Sequence, residues 1–313
     1  GPSDREVERT LSFLNEQEKF GPSAPRTPDR FPGENGFRPV SQVFSKAAGI
    51  ELGEKALWLQ PGSRFERLEL GEIAWPVDAF TIEAVAHLDN IHRDASVNTL
   101  VSRWNESKEM TGWTFGVTSE KSRYEPRNFI LQLVGDDFQH NRIYEVVPSA
   151  LRFPLRKPVY FAAAISARPN PDDVTKGSAT FYLKDLSEPK SPVTRSTVPH
   201  QIVGGLNVAS SLETFIGGRN GNRHLWDGQL ARLRISTGIL SEDELLVGSN
   251  QGKARVIAEL QFKGEDGSRP NPFARWIEPA PKSDRSLIPS PALAAMTDFC
   301  QALLSSNEFL YLH

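Results

Sequence analysis

The stretch "AFTIEAVAHLD", residues 79–89, decides the fold. Phe80, Ile82, Ala84, Ala86 and Leu88 take every second position and fall on one face of an extended chain. Thr81, Glu83, Val85 and His87 fall on the other. A period of two belongs to a β-strand, because successive side chains of an extended backbone point to opposite sides. The alternation returns through the middle of the chain, between residue 37 and about residue 240. "GWTFGVT" (112–118) repeats Trp113, Phe115 and Val117, and "NFILQLVG" (128–135) repeats Phe129, Leu131 and Leu133. "PVYFAAAIS" (158–166), "ATFYLKD" (179–185) and "LARLRIS" (230–236) follow the same rule. Turn residues separate these runs and no helical period intervenes. The expected architecture is therefore two antiparallel sheets packed face to face, a β-sandwich.

Outward from this core the pattern changes. "LSEDEL" (240–245) reads as a short helical turn, with Ser241 and Glu244 placed as a capping box. "VIAELQF" (256–262) is one more strand. Residues 4–18 read as a helix, with Val7, Leu11 and Leu14 at i, i+4 and i+7. Residues 19–36 are a Pro/Gly-rich linker and residues 264–289 a Pro-rich connector. Ser290 then caps a helix that opens on Pro291 and runs into the tail at residue 313. Ala292 to Leu304 carries a single charge, Asp298. Residues 1–3 read as a tag scar, so the chain is expected to be a piece of a longer protein.

Composition narrows the function. Charged residues are 24% of the chain and the net charge is −3, which offers no basic footprint for nucleic acid. The longest apolar run falls short of the roughly 20 residues that a membrane helix needs. The one cysteine, Cys300, forms no internal disulfide and excludes C-x-x-C metal sites and haem attachment within this chain. It reads as a buried free thiol.

The middle of the chain resembles the laminin-G-like, concanavalin A-like jelly-roll family. The residues that carry the resemblance are "ALWLQPGS" (56–63), "FTIEAVAHLD" (80–89), "TLVSRWN" (99–105), "GWTFGVT" (112–118), "FIGGRNGNRHLWDGQLARLRISTGILSEDEL" (215–245) and "VIAELQF" (256–262). It implies an all-β jelly-roll β-sandwich over residues 37–263, flanked by an N-terminal and a C-terminal α-helix. The ends are similar to something else. "EVERTLSFLNEQ" (6–17) and "SPALAAMTDFCQALLSSNEFLYLH" (290–313) resemble planctomycete cytochrome-associated proteins that carry domains of unknown function. That resemblance implies a jelly roll inserted between two host-domain helices, docked near Trp58, in an extracytoplasmic protein of the periplasm or cell surface.

Chemistry is harder to find. Glycosidases of the laminarinase kind share this fold and place three acids at alternate positions of one strand, E-x-D-x-x-E. Here the nearest outward set, Glu83, Val85 and His87, holds one carboxylate. No G-x-S-x-G elbow occurs, and "GGRNGNRH" lacks the Lys-Ser/Thr of a phosphate loop. His87 and His92 could approach a metal with Asp89 or Asp94, though a solvated strand-end loop explains them as well. Calcium is the cofactor that the resemblance implies. Ala231 stands where the usual acidic ligand would be, which leaves Asp136 and Asp137 as candidate metal carboxylates in a stretch that reads first as a solvated turn.

Sugar binding asks for aromatic platforms beside planar polar groups. Trp113 belongs to the inward face and is expected in the core. The candidate binding residues are Arg103, Trp104, Tyr124, Arg127, Phe138, Arg142, Arg219, Arg223, Trp226 and Asp227, with Tyr144 and Arg123 close by in sequence. Arginines interleaved with aromatics suit an anionic polysaccharide, through bidentate bonds and stacking. The leading expectation is a non-catalytic, lectin-like carbohydrate-recognition module. The other is a structural or protein-interaction domain that packs against the remainder of its own host protein.

Overall fold

The computed structural model describes residues 37–40, 43–44, 50–59, 67–70, 75–91, 95–105, 111–208, 212–219, 224–262 and 275–277. The expected helices at 4–18 and 290–313, the linker at 19–36, Cys300 and most of the connector lie outside them. Among the described residues fifteen strands follow one another: β1 (Phe37–Pro39), β2 (Lys55–Leu59), β3 (Arg67–Leu70), β4 (Ala79–Leu88), β5 (Val97–Asn105), β6 (Thr111–Thr118), β7 (Asn128–Asp136), β8 (Arg142–Arg152), β9 (Pro158–Ser166), β10 (Gly177–Asp185), β11 (Thr194–His200), β12 (Thr214–Ile216), β13 (Gly228–Thr237), β14 (Val256–Gln261) and β15 (Arg275–Ile277). The last lies inside the expected connector, where Arg275 to Ile277 pair with β3 and extend the second sheet.

The strands form two antiparallel sheets. The first runs β1-β2-β13-β4-β9-β10-β11 with β14 also on β13, and the second runs β15-β3-β12-β5-β6-β7-β8. Late strands enter between early ones in both sheets: β13 between β2 and β4, and β12 between β3 and β5. That mirrored insertion makes the sandwich a jelly roll. One edge of β13 follows β4 throughout, while the other pairs first with β2 at Gly228–Leu230 and then with β14 at Arg232–Ser236. The changeover falls at Ala231, the residue that the β4 register skips as a bulge.

The inward positions meet as the alternation predicts. Phe115 stacks on Phe161 with ring centroids 4.9 Å apart, Phe129 meets Phe181 at 5.0 Å, and Trp113 is wholly buried. Each such side chain stabilises the fold by roughly 1.5–3 kcal/mol through removal from water.

The outward side of β4 departs from the simple reading. Thr81, Glu83, Val85 and His87 are all buried too. A second apolar cluster covers the first sheet, built from Val85, Tyr160, Ala162 and Ala231 on the strands, Phe44 and Ile50 ahead of β2, and Leu240, Leu245 and Leu246 after β13. Glu83 anchors this cover. Its carboxylate lies 2.6 Å from Arg234 Nε and accepts from the Tyr160 hydroxyl (2.8 Å) and the Leu246 N–H (2.7 Å). Arg234 in turn donates to the carbonyl oxygens of Glu244 and Gln251. "LSEDEL" forms a short turn, closed by the Ser241 N–H on Glu244 Oε2 at 3.0 Å.

Candidate functional site

The strand register sorts the candidate residues between two ends of the sandwich. At one, called the upper end, β4 begins, β7 ends and β8 begins. The Gly135–Leu206 bridge and the Leu206 N–H on the Val77 carbonyl tie the two sheets there. At the lower end β4 and β8 finish and β7 begins; the Arg156 N–H bonds the Leu88 carbonyl and the Phe153 N–H the Arg127 carbonyl. Arg103, Trp104, Asp136, Asp137, Phe138 and Arg142 lie at the upper end. Tyr124, Arg127, Trp226 and Asp227 lie at the lower. Arg223 is outside the described residues.

The best-formed cluster is on the outer face of the second sheet at its upper end. Trp104 of β5 is opposite Gly112 of β6, and Val134 of β7 is opposite Tyr144 of β8. The Trp104 and Tyr144 rings meet edge to face at 5.8 Å. Gly112 sits at φ 101° and passes so close to the Arg103 carbonyl that no Cβ fits, which fixes glycine between the two rings' strands. One step further in, Thr114 is opposite both Ser102 and Gln132. The Thr114 hydroxyl donates to Gln132 Oε1 at 3.0 Å, Arg219 Nη2 donates to the same oxygen, and Gln132 Nε2 donates to the Tyr144 hydroxyl. Arg219 Nε reaches Thr99 Oγ1 at 3.3 Å, and its guanidinium lies 5.5 Å from the Trp104 ring centre. Two aromatic rings, a planar amide and a guanidinium thus share one face, and Tyr144 is the member open to solvent, 38% exposed. Trp104 Nε1 is buried without an acceptor among the described residues.

Gln132 and Thr114 were not among the residues singled out from the sequence. The available signal was Gln132 itself, a polar residue between Ile130 and Val134 on the outward side of an otherwise apolar strand.

Several expectations are corrected. Trp226 is no platform: it is fully buried, stacked on Phe161 at 6.1 Å, with its Nε1 donating to the His87 carbonyl. Arg103 faces inward, 3% exposed, 5.6 Å from the Trp75 ring centre, and burial lowers its pKa to about 10. Asp136 and Asp137 do not converge on a shared point. Asp136 pairs with Arg142 Nε at 2.6 Å. Asp137 Oδ1 accepts the N–H groups of Gln139 and Asn141, and the Asn141 backbone bond leads the causes that hold its carboxyl below the ordinary value. Both acids close the β7–β8 hairpin, so a turn explains them. Ala231, in the place of the usual acid, lies inside the apolar cover of the first sheet. Asp227 Oδ2 accepts from Asn90 at 3.2 Å. His87 Nδ1 lies 3.2 Å from Asp89, while His92 and Asp94 are outside the described residues. Phe138 stands 54% exposed at the hairpin tip.

A groove of about 560 Å³ also opens at the upper end, lined by Trp75, Val77, Asp78, Ser166, Arg168 and Ile239 among others. Asp78 and Arg168 form an exposed ion pair of 2.8 Å beside it.

No protein-family model matches the chain, and a search of curated proteins finds no match. Solved structures do overlap with it. A SAP-like pentraxin from Limulus polyphemus is 11% identical at a TM-score of 0.36, covering 62% of this chain and 80% of its own. The CBM40 module of the Ruminococcus gnavus IT-sialidase, bound to α2,6 sialyllactose, is 14% identical at 0.35, covering 61% and 94%. The marine PL-14 alginate lyase from Aplysia kurodai is 10% identical at 0.31, covering 60% and 87%. The strand pairing, not these low overlaps, makes the chain a jelly-roll β-sandwich of two antiparallel sheets.

Proposed function

We propose that the chain is a non-catalytic carbohydrate-recognition module that holds a polysaccharide on the outer face of its second sheet, outside the cytoplasm. One observation carries the reading. Phe138 and Tyr144, the two aromatic side chains that stand exposed among the described residues, lie on the same β7–β8 hairpin, and Tyr144 is bonded into the Gln132–Arg219–Trp104 cluster. Exposed rings offer a platform to the C–H face of a sugar, and nearby planar polar groups offer directed hydrogen bonds to hydroxyls. Glu83, the acid of the nearest glycosidase-like strand, is enclosed by Arg234 and Tyr160, out of a substrate's reach.

The test is an array of neutral and acidic polysaccharides, probed with wild type and with Tyr144→Ala, in calcium and again in chelator. Selective retention that Tyr144→Ala abolishes supports the reading; loss in chelator adds a calcium site. A folded sample that binds nothing overturns it.

A second reading, a domain that packs against the remainder of its own host protein, has its own observation. Val77, Val174, Ile239 and Val256 are exposed, and all four lie at the upper end with Phe138 and Tyr144. Apolar side chains gathered at one end of a molecule mark a surface that something covers. A silent array favours this reading.

A further inference from the structure

The lower end of the sandwich gathers four arginines. The β6–β7 turn carries Arg123 and Arg127, β8 ends on Arg152, and the β8–β9 connection carries Arg156. Arg123, Arg152 and Arg156 are exposed and Arg127 is half-buried. None of the four meets a carboxylate among the described residues. Acids stand at this end too: Glu120 and Glu125 on the β6–β7 turn, Asp89 after β4 and Asp185 at the end of β10. Asp89 faces His87, Asp185 takes Lys157 at 2.8 Å, and exposed Glu125 forms no ion pair with its arginine neighbours.

The backbone holds these cations in place. Arg127 sits at φ 69° and Arg156 at φ 59°, in the left-handed region usually given to glycine. The Arg127 N–H bonds the Thr118 carbonyl, and its own carbonyl accepts from Phe153. Arg127 Nε then donates to the Phe153 carbonyl at 2.8 Å, which sets the guanidinium beside the end of β8. Asn128 is opposite Arg152 in the ladder, so Arg127 and Arg152 are one step apart across neighbouring strands. Burial first, and the Arg152 charge second, lower the Arg127 pKa. Arg156 Nε points to the Asp89 carbonyl at 3.4 Å. Arg123 bonds the Tyr124 hydroxyl at 3.0 Å and lies 5.0 Å from that ring's centre. Four guanidinium forks, none in an ion pair with a carboxylate among the described residues and two of them on constrained backbone, suit oxyanions that accept paired hydrogen bonds.

We propose that the lower end is an oxyanion site, in which Arg123, Arg127, Arg152 and Arg156 take the sulfate-ester or carboxylate groups of an acidic polysaccharide. The proposal rests on the polysaccharide reading above and names its ligand class. Asn128 is opposite Arg152 and Val134 opposite Tyr144, so six residue steps along β7 separate this site from Tyr144 by roughly 20 Å. One monosaccharide cannot touch both, so a chain with repeated acidic groups is the ligand that uses the whole face.

The experiment is calorimetric titration with a sulfated hexasaccharide and its desulfated counterpart, beside inorganic sulfate followed on the arginine Nε–H resonances. Wild type is expected to bind the sulfated chain at least tenfold more tightly, and sulfate to shift the Arg127 and Arg152 signals. Arg123→Gln/Arg152→Gln, both at exposed positions, is expected to erase the tenfold preference and leave desulfated binding as it was. Arg127→Gln should do the same, and its melting temperature reports whether the lost Phe153 bond matters to the fold. Tyr144→Ala should weaken both chains and leave the sulfate shifts intact. Equal binding of the two chains, an unchanged preference in the double variant, or silent arginine signals would each overturn the proposal. If neither chain binds while sulfate still shifts Arg127 and Arg152, the oxyanion site stands and the polysaccharide reading falls.

Discussion

The outer faces of the two sheets start from the same alternating pattern and end differently. On the first, the chain folds back over its own strands, and Glu83 and Arg234 are sealed with 0% and 3% of their side chains exposed. On the second, the polar residues Thr99, Thr114, Gln132 and Arg219 bond to one another and lead outward to Tyr144, which water reaches. Both faces hold an arginine bonded to side-chain oxygen. In the first, the bond pins a covering segment; in the second, it orients groups beside an exposed ring. A buried charge pair that also holds backbone carbonyls is spent on the fold, whereas a polar network with an open member remains able to meet a ligand.

The largest break of that comparison is Glu83→Ala. It leaves Arg234 charged and buried without its counter-ion, and removes the acceptors of Tyr160 and Leu246. The expected loss is about 3–5 kcal/mol in urea unfolding. A paired Glu83→Leu/Arg234→Met change should recover only the part due to the unpaired charge, because the buried Tyr160 hydroxyl and Leu246 N–H still lack their acceptor. If Glu83→Ala costs under about 1 kcal/mol, the cover is not held by this pair.

Acid supplies the next break, through His200 at the end of β11 in the first sheet. It is 1% exposed, and burial lowers its pKa from 6.5 to about 4, partly opposed by the backbone of Ser178 and Ile202. The folded state thus holds the ring neutral while the unfolded chain protonates it below about 6.5. The contribution is complete above that value and is lost as pH falls toward 4, up to about 3 kcal/mol at roughly 1.4 kcal/mol per pH unit. His200→Gln should flatten the stability profile over this window. A wild-type profile already flat from pH 7 to 4 would contradict it.

The inward halves of β4, β6, β7 and β9 were readable because period two and burial coincide: Phe80, Phe115, Phe129 and Phe161 could face only one way. The cover on the first sheet was not readable, since Thr81, Glu83 and His87 look solvent-facing until the segments around Phe44 and Leu246 fold over them. The same limit applies to Trp226. Beside Asp227 and a glycine-rich stretch it looks like a loop aromatic, but it is buried in the core against Phe153. Trp104 and Arg219 were legible as residue types and not as neighbours, because 115 positions of sequence separate two groups that the β5–β12 pairing brings together.

On the second face, Gln132→Leu should cost about 1–3 kcal/mol, since it removes the oxygen shared by Thr114 and Arg219 and leaves a buried hydroxyl without its acceptor. This is less than Glu83→Ala, because no ion is left without its counter-charge. Binding to polysaccharide should fall with it, as Arg219 and Tyr144 lose their common tether. Stability loss with unchanged binding would make the network structural, like its counterpart across the sandwich.

Tyr144 gives the smallest effect on stability and the sharpest separation of the two faces. Tyr144→Phe deletes only the hydroxyl that Gln132 Nε2 reaches, and water can take its place at a residue 38% exposed. The unfolding free energy should change by less than about 0.5 kcal/mol. Tyr144→Ala also removes the ring against Trp104, an edge-to-face contact worth about 0.5–1.5 kcal/mol beyond its buried area, and should abolish retention on the polysaccharide array. The pair of variants separates ring from hydroxyl. If Tyr144→Phe keeps binding and Tyr144→Ala loses it, the ring is the platform. If Tyr144→Ala costs more than about 2 kcal/mol while binding persists, the ring belongs to the fold and the second face is closed in the same sense as the first.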